Sequence, residues 1–316
     1  MPTLSSDLEA VARIANLDFS ALRRVLRSNL QRETKAFLWH VLNYKRLSQD
    51  YTFKVKTRYD GWFFGNTNDS LGAMVYYFGM WEPAISEYVA RSLRPGDVFI
   101  DVGANQGWYT VLASSLIGAA GRIVAIEASS TIFQALQRNC AINRCSSATL
   151  VHAGAWSTKG EAPLYPGPNS NMGQTSFCPE QMKHKSAATE VVTVKPLDDL
   201  VPEELWRDVR LVKIDVEGGE WEVVQGMGRM LATLREGVEF ILEVTPRVVW
   251  KRGHQAEEIL EPFRRQGFNV YRVPNEYEVD FYLDFIAQGA KKPARYDEPI
   301  VERCDLILSR RDCAFL

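Results

Sequence analysis

Over residues 1 to about 50 the apolar positions recur at helical spacing, first Leu8, Val11 and Ile14, then Leu22, Val25, Leu26, Leu30, Phe37, Leu38, Val41 and Leu42. Ser6 with Glu9 makes a capping box ahead of the first group. The pattern turns strand-like from Tyr51 to Phe64. Trp81-Glu82-Pro83 then introduces an amphipathic helix through Ile85, Tyr88, Val89 and Leu93, and Arg94-Pro95-Gly96-Asp97 reads as a turn. Next comes Val98-Phe99-Ile100-Asp101-Val102, apolar enough for a central parallel strand covered on both faces. It runs directly into a turn punctuated by Gly103 and Gly107. From Trp108 the positions Val111, Leu112, Ser115 and Leu116 fall at helical spacing until Gly118 and Gly121 stop the pattern.

The same alternation continues down the chain. Strands are expected at Arg122–Glu127, Ala148–His152, Val191–Val194, Leu211–Asp215, Val238–Val244, Asn269–Val273 and Asp305–Ser309. Helices are expected after the Ser129/Ser130 cap (Phe133, Leu136, Cys140), through Trp221, Val224, Met227 and Leu231, and over 257–266. The fold class is therefore α/β. Two stretches break the rhythm: a turn-rich run containing Tyr165 to Gly173, and a Pro-rich polar excursion from Pro274 to Pro299. Long loops in compact domains are usually functional, so both are expected to border an acceptor site.

Strand, glycine turn and helix make the first half of a nucleotide-binding βαβ unit. The dinucleotide fingerprint needs small residues at its second and third places, but these are Asn105 and Trp108, and an indole would hold helix and strand apart. NAD and FAD are disfavoured on that ground. The spacing present is Asp101-x-Gly103-x-Asn105-x-Gly107, and it resembles the first motif of class I S-adenosylmethionine (SAM) methyltransferases. The wording Asp-Val-Gly-Ala-Asn-x-Gly is similar to the FkbM family in particular, since the wider superfamily usually has Gly where Asn105 stands. Lys213-Ile214-Asp215-Val216-Glu217-Gly218-Gly219-Glu220 resembles the family's second signature. Trp81-Glu82-Pro83 and Leu197-Asp198-Asp199-Leu200 resemble two of its other elements.

The resemblance implies a Rossmann-like, seven-stranded class I sheet whose last strand is antiparallel. A helical extension would occupy 1–60 and the SAM-dependent domain 61–316, with insertions at about 157–195 and 274–300. Glu127 ends the second strand 24 residues after Gly103, where a carboxylate can accept both ribose hydroxyls. Asp101 would anchor the methionine ammonium, the turn amides of Gly103, Asn105 and Gly107 would face the methionine carboxylate, and Ala155 and Trp156 would lie beside adenine. Trp156 also reads as core. Glu82 reads either as a ligand-facing carboxylate or as an exposed helix-start glutamate.

Asp215 and Glu217 are the candidate catalytic acids, with capping of the following helix as the alternative. His184, His254 and Glu243 are the other candidate bases, and His184 also reads as an exposed loop histidine. Asp215, Glu217 and Glu243 could also supply hard oxygen ligands, but the resemblance does not imply a metal and none is assigned. The expected activity is SAM-dependent O-methylation of a sugar, polyketide or peptide-derived hydroxyl. The alternatives are N-methylation of a small amine and a SAM-fold binding protein without catalysis.

Composition narrows the partners. With 316 residues, 46% of them hydrophobic, the chain can bury a full α/β core plus a small appendage. A net charge of −2 gives no reason to expect nucleic acid or an anionic membrane as partner. Five cysteines without metal-like pairing read as reduced thiols in the cytoplasm, and no run reaches membrane-spanning length. Through Asp60 there are 11 Lys+Arg against 6 Asp+Glu. That basic face is either a solvated helical cap or a surface that closes over substrate or forms a homodimer.

Overall fold

The computed structural model describes residues 23, 24, 26–28, 30–36, 39, 51–168, 170–181 and 187–312. The first elements form a hairpin, β1 (Thr52–Lys56) and β2 (Trp62–Asn66), followed by α1 (Ser70–Phe78) and α2 (Pro83–Ser92). The main alternation comes next: β3 (Val98–Val102), α3 (Trp108–Ile117), β4 (Arg122–Glu127), α4 (Ser130–Asn143) and β5 (Ala148–His152). After β6 (Gly154–Ala155), β7 (Gly160–Leu164), β8 (Glu190–Lys195) and the short α5 (Leu197–Leu200) come β9 (Val209–Ile214), α6 (Glu220–Gln225), α7 (Gly228–Thr233) and β10 (Glu239–Val244). The chain closes with α8 (Pro246–Lys251), α9 (Ala256–Arg265), β11 (Asn269–Val273), α10 (Val279–Gln288), β12 (Ala294–Arg295) and β13 (Cys304–Ser309).

The central sheet runs β12-β11-β13-β10-β9-β3-β4-β5. Strands β5, β4, β3, β9 and β10 are parallel, and β13 is antiparallel to both β10 and β11. That is the expected seven-stranded order with one addition, the two-residue β12 on the edge of β11. A second sheet, β6-β8-β7, is built from the insertion after β5.

Alternation along each strand sorts side chains to two faces. Phe99 and Ile241 join the core with Phe63, Tyr77, Ile85, Trp108 and Tyr282, whereas Ile100, Val102, Phe240 and Leu242 join the opposite core with Trp206, Val223, Met230, Leu260 and Phe263. The sheet is thus covered by α1, α2, α3 and α10 on one face and by α5 to α9 on the other.

Three expectations change. The excursion at 274–300 contains the ten-residue helix α10, whose Val279, Tyr282, Leu283 and Phe285 are buried. Its prolines lie outside the helix, so the apolar spacing within it decides the conformation. The boundary at residue 60 cuts through the β1–β2 hairpin, which is fastened to α4 by Trp62 N–H donating to Asn143 Oδ1 at 2.7 Å and Phe64 N–H to Asn139 Oδ1 at 2.8 Å. The helix expected from Trp221 to Leu231 is broken into α6 and α7 at Gly226, where a Cβ would sit 2.0 Å from the Trp156 carbonyl oxygen.

Part of the basic N-terminal face serves packing. Arg27 donates to the Tyr77 carbonyl at 3.2 Å, and Arg32 pairs with Asp280 and Asp284 on α10. Most of the helical pattern at 1–50, with the candidate dimer surface, lies outside the described residues, as does His184. Among the described residues no helix is long and apolar enough to cross a membrane.

Candidate active site

The carboxyl ends of β3, β4, β9 and β10 open into a cavity of about 600 Å³, within the usual range for a small-ligand site. On one side the turn after β3 sets its shape. Gly103 has φ +78°, and a Cβ there would fall 1.8 Å from the Asp215 carbonyl oxygen, so only glycine lets this turn pass the end of β9. Asn105 is left-handed at φ +51°, as its place in the turn suggested. Its amide donates to Glu127 Oε2 at 2.9 Å, and Ser129 N–H donates to Oε1 at 2.9 Å. Burial pushes the Glu127 carboxyl up to about 7 against the pull of these amides. Each oxygen keeps a lone pair for a further donor.

The turn amides are not available to a ligand. Those of Gly103 and Ala104 both donate to Ile126 O, Gln106 N–H to Asn105 Oδ1, and Gly107 N–H to Ala104 O. Against the expectation that they face a ligand carboxylate, in this structure those of Gly103, Ala104 and Asn105 are taken by the end of β4 and those of Gln106 and Gly107 by the turn itself. Gly107 is the N-cap of α3, packed against Leu136, and Asp101 is fully buried beneath the turn. Thr110 Oγ1 donates to Asp101 Oδ2 at 2.6 Å, while Oδ1 takes no hydrogen bond. Neither Asp101 nor Gly107 reaches the cavity wall.

Facing this turn is a group of acids drawn from separate elements. Single carboxylate oxygens of Glu82, Asp215 and Glu243 lie within 4.8 Å of one another. Glu82 is not exposed: it is 2% accessible, left-handed at φ +42°, and accepts from Tyr109 Oη and Tyr277 Oη, each at 2.6 Å. Asp215 accepts from Lys213 Nζ at 2.7 Å. Burial lowers the Lys213 pKa, and the carboxylates of Asp215, Glu82 and Asp101 more than reverse that, leaving it raised. Glu243, at the end of β10, pairs with Arg303, which also bonds the Tyr277 hydroxyl. Burial and the neighbouring Asp215 push the Glu243 carboxyl up to about 7, with Arg303 opposing. The antiparallel register sets Asp305 directly opposite Glu243, so β13 brings both a like charge and, through Arg303, its relief.

The insertion closes a third side, with Asn171, Gln174, Ser176 and Phe177 on the wall. Ser176 Oγ donates to the carbonyl of Glu217, itself left-handed at φ +54° and on the wall. The family follows from residues 101–270, more than half of the chain, which match the description Methyltransferase FkbM domain. The chain belongs to the FkbM methyltransferase family. It is a methyltransferase that uses SAM, as the FkbM match and the class I sheet together require.

No curated protein matches the chain. Among solved structures it is similar to precorrin-6y C5,15-methyltransferase from Geobacter metallireducens, at 18% identity over 72% of this chain and 87% of that one, TM-score 0.40. It is also similar to an rRNA methylase from Streptococcus thermophilus (11% identity, 74% and 99% covered, TM-score 0.40) and a SAM-dependent O-methyltransferase from Thermotoga maritima (13%, 82% and 87%, 0.38). Likeness at this level says nothing about the acceptor.

Of the residues expected at an FkbM site, the cavity wall holds Glu82, Gly103, Asn105, Glu127, Ala155, Asp215 and Glu217. It does not hold Trp156, which lies edge-on to Phe177 at 5.6 Å beneath Arg252. His254 is stacked on Trp221 at 3.7 Å and paired with Glu258, also off the wall. Sequence reasoning missed Trp81, Tyr277, Arg303 and the buried partners Tyr109 and Lys213. Lys213 stood inside the second signature, and a lysine two residues before Asp215 in an otherwise apolar strand was the available signal. Arg303 and Tyr277 carry no local pattern.

Proposed function

We propose that this FkbM methyltransferase transfers a methyl group to a hydroxyl of a small molecule. The observation that carries the reading is the charge of the wall: six acids, Glu82, Glu127, Asp215, Glu217, Glu243 and Glu278, against one base, Arg303, among the described lining residues. A phosphodiester backbone needs Lys and Arg, so such a wall disfavours nucleic acid. A hydroxyl acceptor needs its proton taken, and a carboxylate is most effective when its pKa lies near the working pH.

In this reading Glu127 takes the ribose hydroxyls, and Ile126, Ile132, Ala153 and Ala155 give adenine an apolar slot. Glu82 or Asp215 balances the methionine ammonium in place of Asp101. When bound, SAM supplies an electrophilic methyl, and the protein's contribution is alignment and exclusion of water. Glu243, rather than Asp215 or Glu217, accepts the acceptor proton, because burial and the neighbouring Asp215 place its carboxyl near 7 even with Arg303 beside it.

Incubation with labelled SAM and panels of polyols, glycosides, hydroxylated macrocycles, amines and RNA tests this, with mass spectrometry locating the methyl group. Methyl ethers from one hydroxylated class are expected. Methylation confined to nitrogen or to RNA would overturn the reading.

A further inference from the structure

Asp69 is the N-cap of α1 and only 3% accessible, yet its carboxylate takes donors from three separate stretches of chain. Oδ2 accepts from Gly72 N–H at 3.1 Å, the ordinary capping bond. Oδ2 also accepts from Gln106 Nε2 at 2.8 Å, in the turn after β3, and Oδ1 accepts from Met172 N–H at 3.0 Å, in the insertion. One residue on, Ser70 N–H donates to Ser170 O at 3.0 Å.

Capping requires only the first of these bonds. The other two join the turn that shapes the cofactor side of the cavity to the segment that lines its third side. Gln106 is itself 4% accessible, and its carbonyl accepts from Asn139 Nδ2 at 2.8 Å, so its side chain reaches Asp69 from a fixed backbone. The two stretches also approach directly: a Cβ at Gly173 would lie 2.8 Å from Asn105 Nδ2.

Amide–carboxylate bonds in a desolvated place are strong and directional. Gln106 and Asp69 therefore form a continuous hydrogen-bonded path from the turn to the backbone at Met172. We propose that Asp69 is a positioning residue that makes the order of segment 170–177 depend on occupancy of the cofactor turn, so that the methyl donor binds first and the acceptor second. The inference rests on SAM as cofactor and not on the acceptor's identity.

Hydrogen exchange followed by mass spectrometry on the whole chain, with S-adenosylhomocysteine as the only ligand, tests it. In the wild type the ligand is expected to slow exchange across 170–177 by roughly tenfold, the worth of about one such bond. Asp69→Asn keeps an oxygen for the cap but cannot accept on both sides, and Gln106→Leu leaves the cap untouched. In both, the slowing should vanish while calorimetric affinity for S-adenosylhomocysteine stays within about fivefold. Should Asp69→Asn fail to fold, Gln106→Leu alone decides. Slowing that persists in Gln106→Leu would mean the cofactor orders the segment by touching it, and the proposal would fall. It falls equally if the wild type binds the ligand with no slowing at 170–177.

Discussion

On the β3–β4 side of the cavity the functional acid is held by backbone, since both Glu127 oxygens accept from main-chain amides within a few residues of the strand ends. On the opposite side three acids are held by side chains: Glu82 by two tyrosine hydroxyls from separate elements, Asp215 by Lys213 two residues before it, and Glu243 by Arg303, which immediately precedes β13. Backbone support comes from the turn after β3 and the residues just after β4. Side-chain support brings separate elements together at Glu82 and Glu243, and it leaves each acid tunable by single substitutions.

The sharpest way to break the comparison is at the acids of the second side. Glu243→Gln removes the group placed near 7, and kcat is expected to fall roughly 10²-fold or more with SAM affinity nearly kept. Asp215→Asn should cost less in kcat and more in SAM affinity, if Asp215 serves the methionine ammonium. Steady-state kinetics beside calorimetry separate the two, and equal losses from both would dissolve the division of roles.

Glu127→Ala tests the backbone-supported side. It leaves the ribose hydroxyls without their charged acceptor and frees two amides, a loss on the order of 1.5–3 kcal/mol in SAM binding, or about 10- to 150-fold in Kd. Unchanged binding would remove Glu127 from the cofactor site.

The smallest expected effect concerns pH. Folding raises the carboxyls of Asp101 to about 6, Glu127 and Glu243 to about 7 and Glu220 to about 8, burial being the first cause in each. A carboxyl whose folded pKa is raised holds its proton more tightly in the folded state. Its contribution is therefore complete below about 4, the unfolded value, and is lost as pH rises through 6 to 8. The ligand-free melting temperature should fall by roughly a few degrees between about pH 5 and 8. Glu220→Gln, away from the cavity, should flatten part of that slope. A melting temperature that rises over this window would show that these carboxyls do not hold their protons in the folded state.

These contrasts also explain what the sequence disclosed. The α/β order, the positions of β3, β4 and β9 and the left-handed turn conformations of Gly103 and Asn105 were legible because hydrophobic period and turn chemistry are local. Gly103 sits within the turn whose geometry needs it. The acids of the second side were legible only singly. That Glu82 is buried depends on Tyr109 and Tyr277, one from α3 and one preceding α10, and no spacing in the chain announces that meeting. Asp101 misled for the converse reason: an acid in a signature turn suggests a ligand, but its β3 position turns it inward to Thr110. The stretch 274–300 misled because its prolines and charges outweighed the apolar period of α10.

The placement of β13 bears on how the chain assembles its site as it is made. Cys304–Ser309 lies between β10 and β11, antiparallel to each, so β10 can pair with β9 but β11 cannot join the sheet until this later segment has been synthesised and has threaded in. The residue just before it, Arg303, is the one that offsets the charge of Glu243. Until then the nascent sheet ends at β10, and the acid group of the cavity lacks its balancing cation. The segment that joins β11 to the sheet also brings the cation paired with Glu243, so sheet assembly and the electrostatics of the site are tied to one stretch of chain.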